Sequence, residues 1–404
     1  MTKFWAAALG AVLAGSTALG IEPAAAQSNT ITLGAAVQLT GKDANTGRYY
    51  RDGYQFAIDR INQKGGITVG GKKYVLKLDL LDNQSDTNLD VQLYTQLVTR
   101  EKVDFLLGSY STPVVLVDTS VAEKFQMPMV EGGGAASQIF SRGYKWIFGT
   151  LPRAEDYFAS TIAMMGQLDP KPKTVALITA DDAFDVSVAQ GTRAWLKKSA
   201  LATVLDQQYA ANSADFSSVL TLVKSKHPDA ILWGGLLAEV LNSIRQAKSL
   251  DVSAKDLTSF TVGPPTADFR KALGKDAEGA FGMTPWIPTG ALKDDWFGDD
   301  QAFNAAYIAK YNYEPDYHAA SAVTDVEVYA KAIAKAGSLD KQAVRNAIAA
   351  SDFDSLYAHV KFAATGQIDV PQIAIQIQDG KIVPIYSDRL LNKPRYPVPA
   401  WGKR

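Results

Sequence analysis

The chain has no cysteine among its 404 residues. That excludes a disulfide framework, a thiol nucleophile, thiolate metal ligation and a lipid anchor on an N-terminal Cys. Histidine is almost as scarce, with only His227, His318 and His359, scattered along the sequence. No H-E-x-x-H, G-x-S-x-G, Walker or dinucleotide-binding fingerprint occurs. The acidic run Asp294–Asp300 lacks calcium-loop spacing, and Asp299 or Asp300 is expected to cap the next helix. Net charge is -1, which gives no electrostatic case for nucleic acid or an anionic membrane surface. No constellation supports an enzyme, and no metal or organic cofactor is expected.

What is present begins with residues 1–26. Lys3 supplies a positive start, Phe4 to Leu19 is apolar and rich in small residues, and Ala24-Ala25-Ala26 before Gln27 is an A-x-A cleavage site. This reads as a secretory signal peptide. A membrane anchor fits less well, because Gly10, Gly15, Ser16 and Thr17 interrupt a stretch shorter than the roughly 20 apolar residues of a span. The expected compartment is the bacterial periplasm. The balance of 47% hydrophobic and 21% charged residues is that of a globular protein, with length enough for a core without staples.

Strand and helix patterns alternate from Ile31 onward. Ile31–Val37, Tyr74–Leu81 and Val103–Leu107 read as strands, with helical spacing between them at Tyr50, Tyr54, Ala57, Ile58 and Ile61 and again at Leu89, Leu93 and Leu97. The pattern restarts after Thr150: strands are expected at Thr174–Ile178, Thr203–Gln207 and Ala230–Trp233. Val103–Gly108 is echoed by Pro228–Gly234, each a strand ending at glycine. Two similar α/β lobes with parallel sheets are the economical reading. Ligands of such sheets sit beyond the carboxyl ends of the strands. Phe281–Thr289 reads as a connector, Asp379-Gly380 as a hairpin turn, and residues 392–404 as an extended tail.

One loop stands out. Met127-Pro128-Met129-Val130-Glu131 runs into Gly132-Gly133-Gly134 and then Ala135-Ala136-Ser137. Glycine admits close approach and φ > 0, and a strand ending this way offers backbone N–H groups to a polar ligand. The bland alternative is a tight turn.

These features, taken in order, resemble a periplasmic solute-binding protein of the branched-chain-amino-acid and amide type, which serves ABC importers. The carriers are Ile31-Thr32-Leu33-Gly34 with Leu39-Thr40-Gly41, the Ala57–Ile67 segment ending Asn62-Gln63-Lys64-Gly65-Gly66-Ile67, then Gly108–Thr112, Arg142-Gly143-Tyr144, Asp215-Phe216-Ser217, Trp233-Gly234-Gly235 and Ala277-Glu278-Gly279. The resemblance implies two Rossmann-like lobes joined by three hinge crossings, near Thr150, Pro285 and Tyr357. Residues 30–150 plus 286–357 would form the N-terminal lobe, and 151–285 plus 358–391 the C-terminal lobe.

It also implies a site. A hydroxyl after the third strand and backbone groups of the next loop hold the ligand carboxylate in that family. The matching positions are Thr112, with Ser111 and Tyr110 beside it, then Gly133, Gly134 and Ala135. Phe184 and Leu236 stand where the family has tyrosines, and Pro265 stands where amino-acid binders place the glutamate that holds the ligand ammonium. Glu131, Asp181, Asp182 and Glu239 are the candidate replacements. Trp233 and Trp286 are expected either to sandwich a flat ligand or to pack the core. The expected function is capture of a small carboxylate-bearing solute, an amino acid or an apolar or aromatic organic acid, by a monomer that delivers it to an inner-membrane ABC permease. Urea or a short amide, or a ligand sensor acting on a partner, are the alternatives.

Overall fold

The computed structural model describes residues 1–2 and 29–401. But for Met1 and Thr2, the predicted secretory segment lies outside the described residues. Eleven strands in chain order build most of two sheets: β1 (Thr30–Val37), β2 (Ile67–Val69), β3 (Lys72–Asp82), β4 (Phe105–Leu107), β5 (Met129–Glu131), β6 (Ile147–Gly149), β7 (Thr174–Ala180), β8 (Ala202–Tyr209), β9 (Ala230–Trp233), β10 (Leu257–Phe260) and β11 (Phe281–Thr284). The first sheet has the order β2-β3-β1-β4-β5-β6. The second runs β8-β7-β9-β10-β11 and is extended at the β11 edge by two antiparallel strands, Ile373–Gln378 and Lys381–Tyr386. The parallel cores, β3-β1-β4-β5-β6 and β8-β7-β9-β10-β11, share one order, so the sequence echo reflects a structural repeat. Phe281–Thr284 is thus a sheet strand, not the connector its aromatic and Pro-rich flank suggested; its side chains are fully enclosed between β10 and Ile373–Gln378.

The chain leaves the first sheet after Gly149, returns after Thr284, and crosses again before Ile373. On its return it lays the helix Tyr317–Ala336 against the helix Ala44–Gln63. Contact there is close: a Cβ on Gly53 would lie 2.7 Å from the Ala322 methyl carbon. Ala319, Ala320, Ala322 and Ala330 keep that helix thin enough to sit on the first sheet, and Tyr329 Oη donates to the carbonyls of Leu106 and Pro128 at 2.7 Å each. Helix ends are capped as their sequence predicts. Asp299 accepts the Ala302 N–H and Asp182 accepts those of Phe184 and Asp185. Asp379 and Gly380 both take positive φ at the tip of the C-terminal hairpin.

Two ion pairs join the units across the cleft. Arg48 on the helix Ala44–Gln63 lies 2.9 Å from Asp268 on the helix Ala267–Leu273, and Arg270 of that same helix pairs with Glu314 just before Tyr317. The units are closed on one another.

The first unit also buries two acids together. Asp90 and Asp118 are fully enclosed; Asn83 donates to Asp90 at 2.7 Å and Ser109 Oγ to Asp118 at 2.6 Å. Burial pushes both carboxyls up, and at Asp90 the neighbouring Asp118 adds to it. From about pH 4 upward the folded chain therefore holds more protons than the unfolded one, and stability falls as pH rises through that window. The melting temperature is expected to decline between about pH 5 and 9, and Asp90→Asn to flatten the decline; calorimetry across that range checks it.

Candidate ligand-binding site

The strand ends of both units meet around one small cavity with about 10 Å³ of free space. From the first unit come Tyr110, Ser111, Thr112, Gly133 and Ala135; from the second, Phe184 and Leu236. These seven expected positions are brought together. Thr112 opens a helix of 13 residues, Thr112–Lys124, after Ser111 in extended backbone at its N-cap. Pro113 has no N–H and those of Val114 and Val115 donate to the Ser111 carbonyl, so the Thr112 N–H is the backbone donor left at this helix start, where the dipole favours an anion. Gln38, in the loop after β1, holds the backbone of Tyr110 through both ends of its side-chain amide. The Tyr110 ring stacks on Tyr50 at 5.9 Å and meets His318 edge-on at 5.3 Å.

The glycine loop differs from expectation in two ways. None of Gly132, Gly133 or Gly134 has positive φ. Glycine is required there by contact: a Cβ on Gly133 would lie 1.8 Å from the Ser109 carbonyl oxygen, and one on Gly132 would lie 2.1 Å from Ser321 Oγ. The loop's N–H groups are also not open to a ligand. Those of Gly133 and Gly134 donate to Glu131 Oε2 at 2.9 and 2.7 Å, and that of Ala135 donates to Thr112 Oγ1 at 3.1 Å. Glu131 is fully buried, and burial pushes its carboxyl well above the usual range despite those two bonds. With its oxygen accepting from Ala135, the Thr112 hydroxyl keeps its own proton to donate.

Four expected positions lie off the cavity lining. Gly134 faces inward, where a Cβ would meet Ile139 at 2.4 Å and Val115 at 2.8 Å. Trp233 points to the other side of its sheet, against Tyr209 at 5.8 Å and Phe216 at 5.6 Å, which is core packing. Trp286 donates Nε1–H to the Leu356 carbonyl at 2.9 Å and packs on Phe303, bracing a crossing. Pro265 is folded into the turn closed by the Thr266 N–H to Gly263 carbonyl bond, and Val262, three residues earlier, reaches the cavity instead. None of Glu131, Asp181, Asp182 and Glu239 lines it; each is engaged with backbone N–H groups elsewhere.

Sequence reading missed Leu151, Tyr157, Val262, Tyr317 and His318. His318 is 1% exposed, and its Nδ1 lies 3.1 Å from Asp316 Oδ2, while Oδ1 of the same Asp accepts the His318 and Ala319 N–H groups. A proton on Nδ1 completes that contact and leaves Nε2 for the cavity. The signal was available in Asp316-Tyr317-His318, an N-cap followed by two ring residues at a helix start. The cavity therefore has hydroxyl and imidazole groups at one end and Phe184, Leu236, Val262 and Leu151 elsewhere, with no carboxylate lining it among the described residues.

Two α/β units closed over a small cavity between their strand ends define a bilobed solute-binding protein. The comparisons agree. A family model described as periplasmic binding protein matches residues 30–381, and the chain belongs to that family. It is 27% identical over 394 residues to Leu/Ile/Val-binding protein homolog 7 of Brucella melitensis, covering 93% of this chain and 96% of that one. Its fold matches the branched-chain amino acid transporter substrate binding protein LivJ from Streptococcus pneumoniae, solved with isoleucine, at a TM-score of 0.79 and 23% identity, covering 89% of this chain and 99% of that one. It also matches an R. palustris ABC-transporter solute binding protein in complex with benzoate, at 0.76 and 18%, covering 90% and 97%. The chain is thus a periplasmic binding protein, a binder of small molecules and not an enzyme. No helix among the described residues is long and apolar enough to cross a membrane.

Gly133→Ala is expected to destabilise the fold by about 2–4 kcal/mol, since the neighbour that must yield is backbone. Urea denaturation measures it, and a change within error would show that the Ser109 contact is loose.

Proposed function

We propose that the protein captures a small organic acid with an apolar or aromatic body and presents it to an inner-membrane ABC permease from the periplasm. The carrying observation is the cavity lining: Ser111 and Thr112 at a helix N-terminus, with His318 beside them, opposite Phe184, Leu236 and Val262. A carboxylate at the polar end accepts from the hydroxyls and the helix end. An α-ammonium has no carboxylate to meet there, and burying one unpaired costs several kcal/mol. In the closed arrangement the cavity has about 10 Å³ of free space, room for about one water, so the solute must be small and must part the units or their side chains to enter. The benzoate-bound neighbour supports the reading, since this fold accommodates an aromatic acid. Residues 30–150 plus 286–357 would form one lobe and 151–285 plus 358–391 the other. Closure of these lobes would be what the permease reads.

A thermal-shift screen of aromatic acids, branched aliphatic acids, amino acids and amides tests this. A ligand at 100 Kd adds about 2.7 kcal/mol of stability. Organic acids are expected to give the largest shifts; a strong response confined to leucine and valine, or to urea and amides, would overturn the proposal. Thr112→Ala is expected to weaken the best acid about 10-fold or more by calorimetry, through loss of a hydrogen bond to a charged group.

The two cross-cleft ion pairs give a separate expectation. Asp268→Asn combined with Glu314→Gln removes both partners while leaving the cavity lining untouched. Because the pairs are partly exposed, affinity is expected to fall by only about 2- to 10-fold, and less at high salt, with the change mainly in the dissociation rate. Surface plasmon resonance at two ionic strengths measures it.

A further inference from the structure

The second unit holds a group of acids that the cavity does not use. Asp182, Asp185 and Glu239 each place a carboxylate oxygen within 4.8 Å of the others. They lie at the starts of two helices, Ala183–Lys197 and Leu237–Ser249. Asp182 Oδ1 accepts the N–H groups of Phe184 and Asp185, and Glu239 accepts those of Asn212 and Leu236. Asp185 has no such partners. It is 0% exposed, and neither of its oxygens has a hydrogen-bond partner. The charged groups acting on it, Asp182 and Glu239, carry its own sign. Thr179 Oγ1, at the end of β7, is buried and unpartnered too. Both residues border Gly234: a Cβ there would lie 2.2 Å from Asp185 Oδ1 and 3.0 Å from the Thr179 methyl carbon.

Three carboxylates gathered together, one of them buried with both oxygens unpartnered, call for a cation. Lys42, whose field reaches Asp182 and Glu239 from the other unit, is 3.2 Å from Asp43 and paired with it. A ligand ammonium is separated from the group, because Phe184 and Leu236 line the cavity and the acids do not. The donors are all oxygen, which suits a hard divalent ion. Calcium, with oxygen ligands at about 2.3–2.6 Å, lets opposed ligands lie about 5 Å apart and so fits the spacing.

We propose that Asp182, Asp185 and Glu239, with Thr179, form a calcium site in the second unit. The ion would tie the segment bearing Phe184 to the segment bearing Leu236, fixing one wall of the cavity from behind. Calcium titrated into chelator-treated full-length protein tests this without any organic ligand, so the result is independent of what the cavity binds. One ion per chain and a higher melting temperature are expected. Asp185→Asn, close in shape, should lower calcium affinity about 10-fold or more, with Glu239→Gln also weaker. Terbium emission sensitised by Tyr209, whose hydroxyl donates to the Gly234 carbonyl at 2.7 Å, should appear in the wild type and fade in Asp185→Asn. Circular dichroism separates loss of the site from loss of the fold, and Thr179→Val gives a second variant with the acids intact and a smaller expected loss. No heat and no melting shift at up to roughly 10 mM calcium, or equal affinity in folded Asp185→Asn, overturns the proposal.

Discussion

Glu131 ends its strand with a carboxylate turned back under the loop that follows, and the N–H groups of Gly133 and Gly134 both donate to it. The rest of the cleft is arranged on that inward-facing loop. The Gly132 carbonyl takes the Tyr50 hydroxyl, which brings the first helix to the strand ends. Thr150, where the chain leaves the first unit, donates to Asp325 at 2.6 Å and is 2.8 Å from Ser321 Oγ. Asp325 and Ser321 lie on Tyr317–Ala336, the helix whose start carries the two ring residues of the cavity. One buried polar network thus fixes loop, crossing and cavity wall together, and such networks are stiff only when nearly all members are satisfied.

Stiffness on that side has a counterpart opposite. The second unit meets the cavity mainly with apolar side chains, Leu151, Phe184, Leu236 and Val262, beside the Tyr157 ring. Polar recognition is then set by a preformed half, and closure adds apolar area and expels water. The cross-cleft ion pairs lie at the lip, where solvent screens them, and they favour closure without dictating it.

Much of this was legible in the residues. Strand ends at Gly108, Gly132 and Gly234 follow from apolar runs meeting glycine, and Ser111, Thr112 and Leu236 sit within a few positions of such ends, while Phe184 follows the end of β7 at Ala180. The misplaced positions share a cause. Trp233 and Pro265 are near strand ends, but side chains alternate across a strand and turns fold back, so proximity in sequence did not fix direction. Glu131 was visible as a candidate partner for a ligand ammonium, but its bonding to its own loop depends on the path the chain takes after it. Tyr157 arrives from a crossing, where no local pattern marks it, and Tyr317 and His318 follow a readable N-cap at Asp316 that does not itself aim their rings at a cleft some 200 positions away in the chain.

The helix Tyr317–Ala336 has one more consequence. It completes the first unit, yet it is encoded after every parallel strand of the second. Neither half can close its core from a continuous stretch of chain, so the first sheet must wait with an open face until the late helix arrives. Contacts of such long sequence separation slow folding. A chain that stays incomplete until its last third has emerged stays threadable for longer, and the halves cannot be cut apart and expected to stand alone.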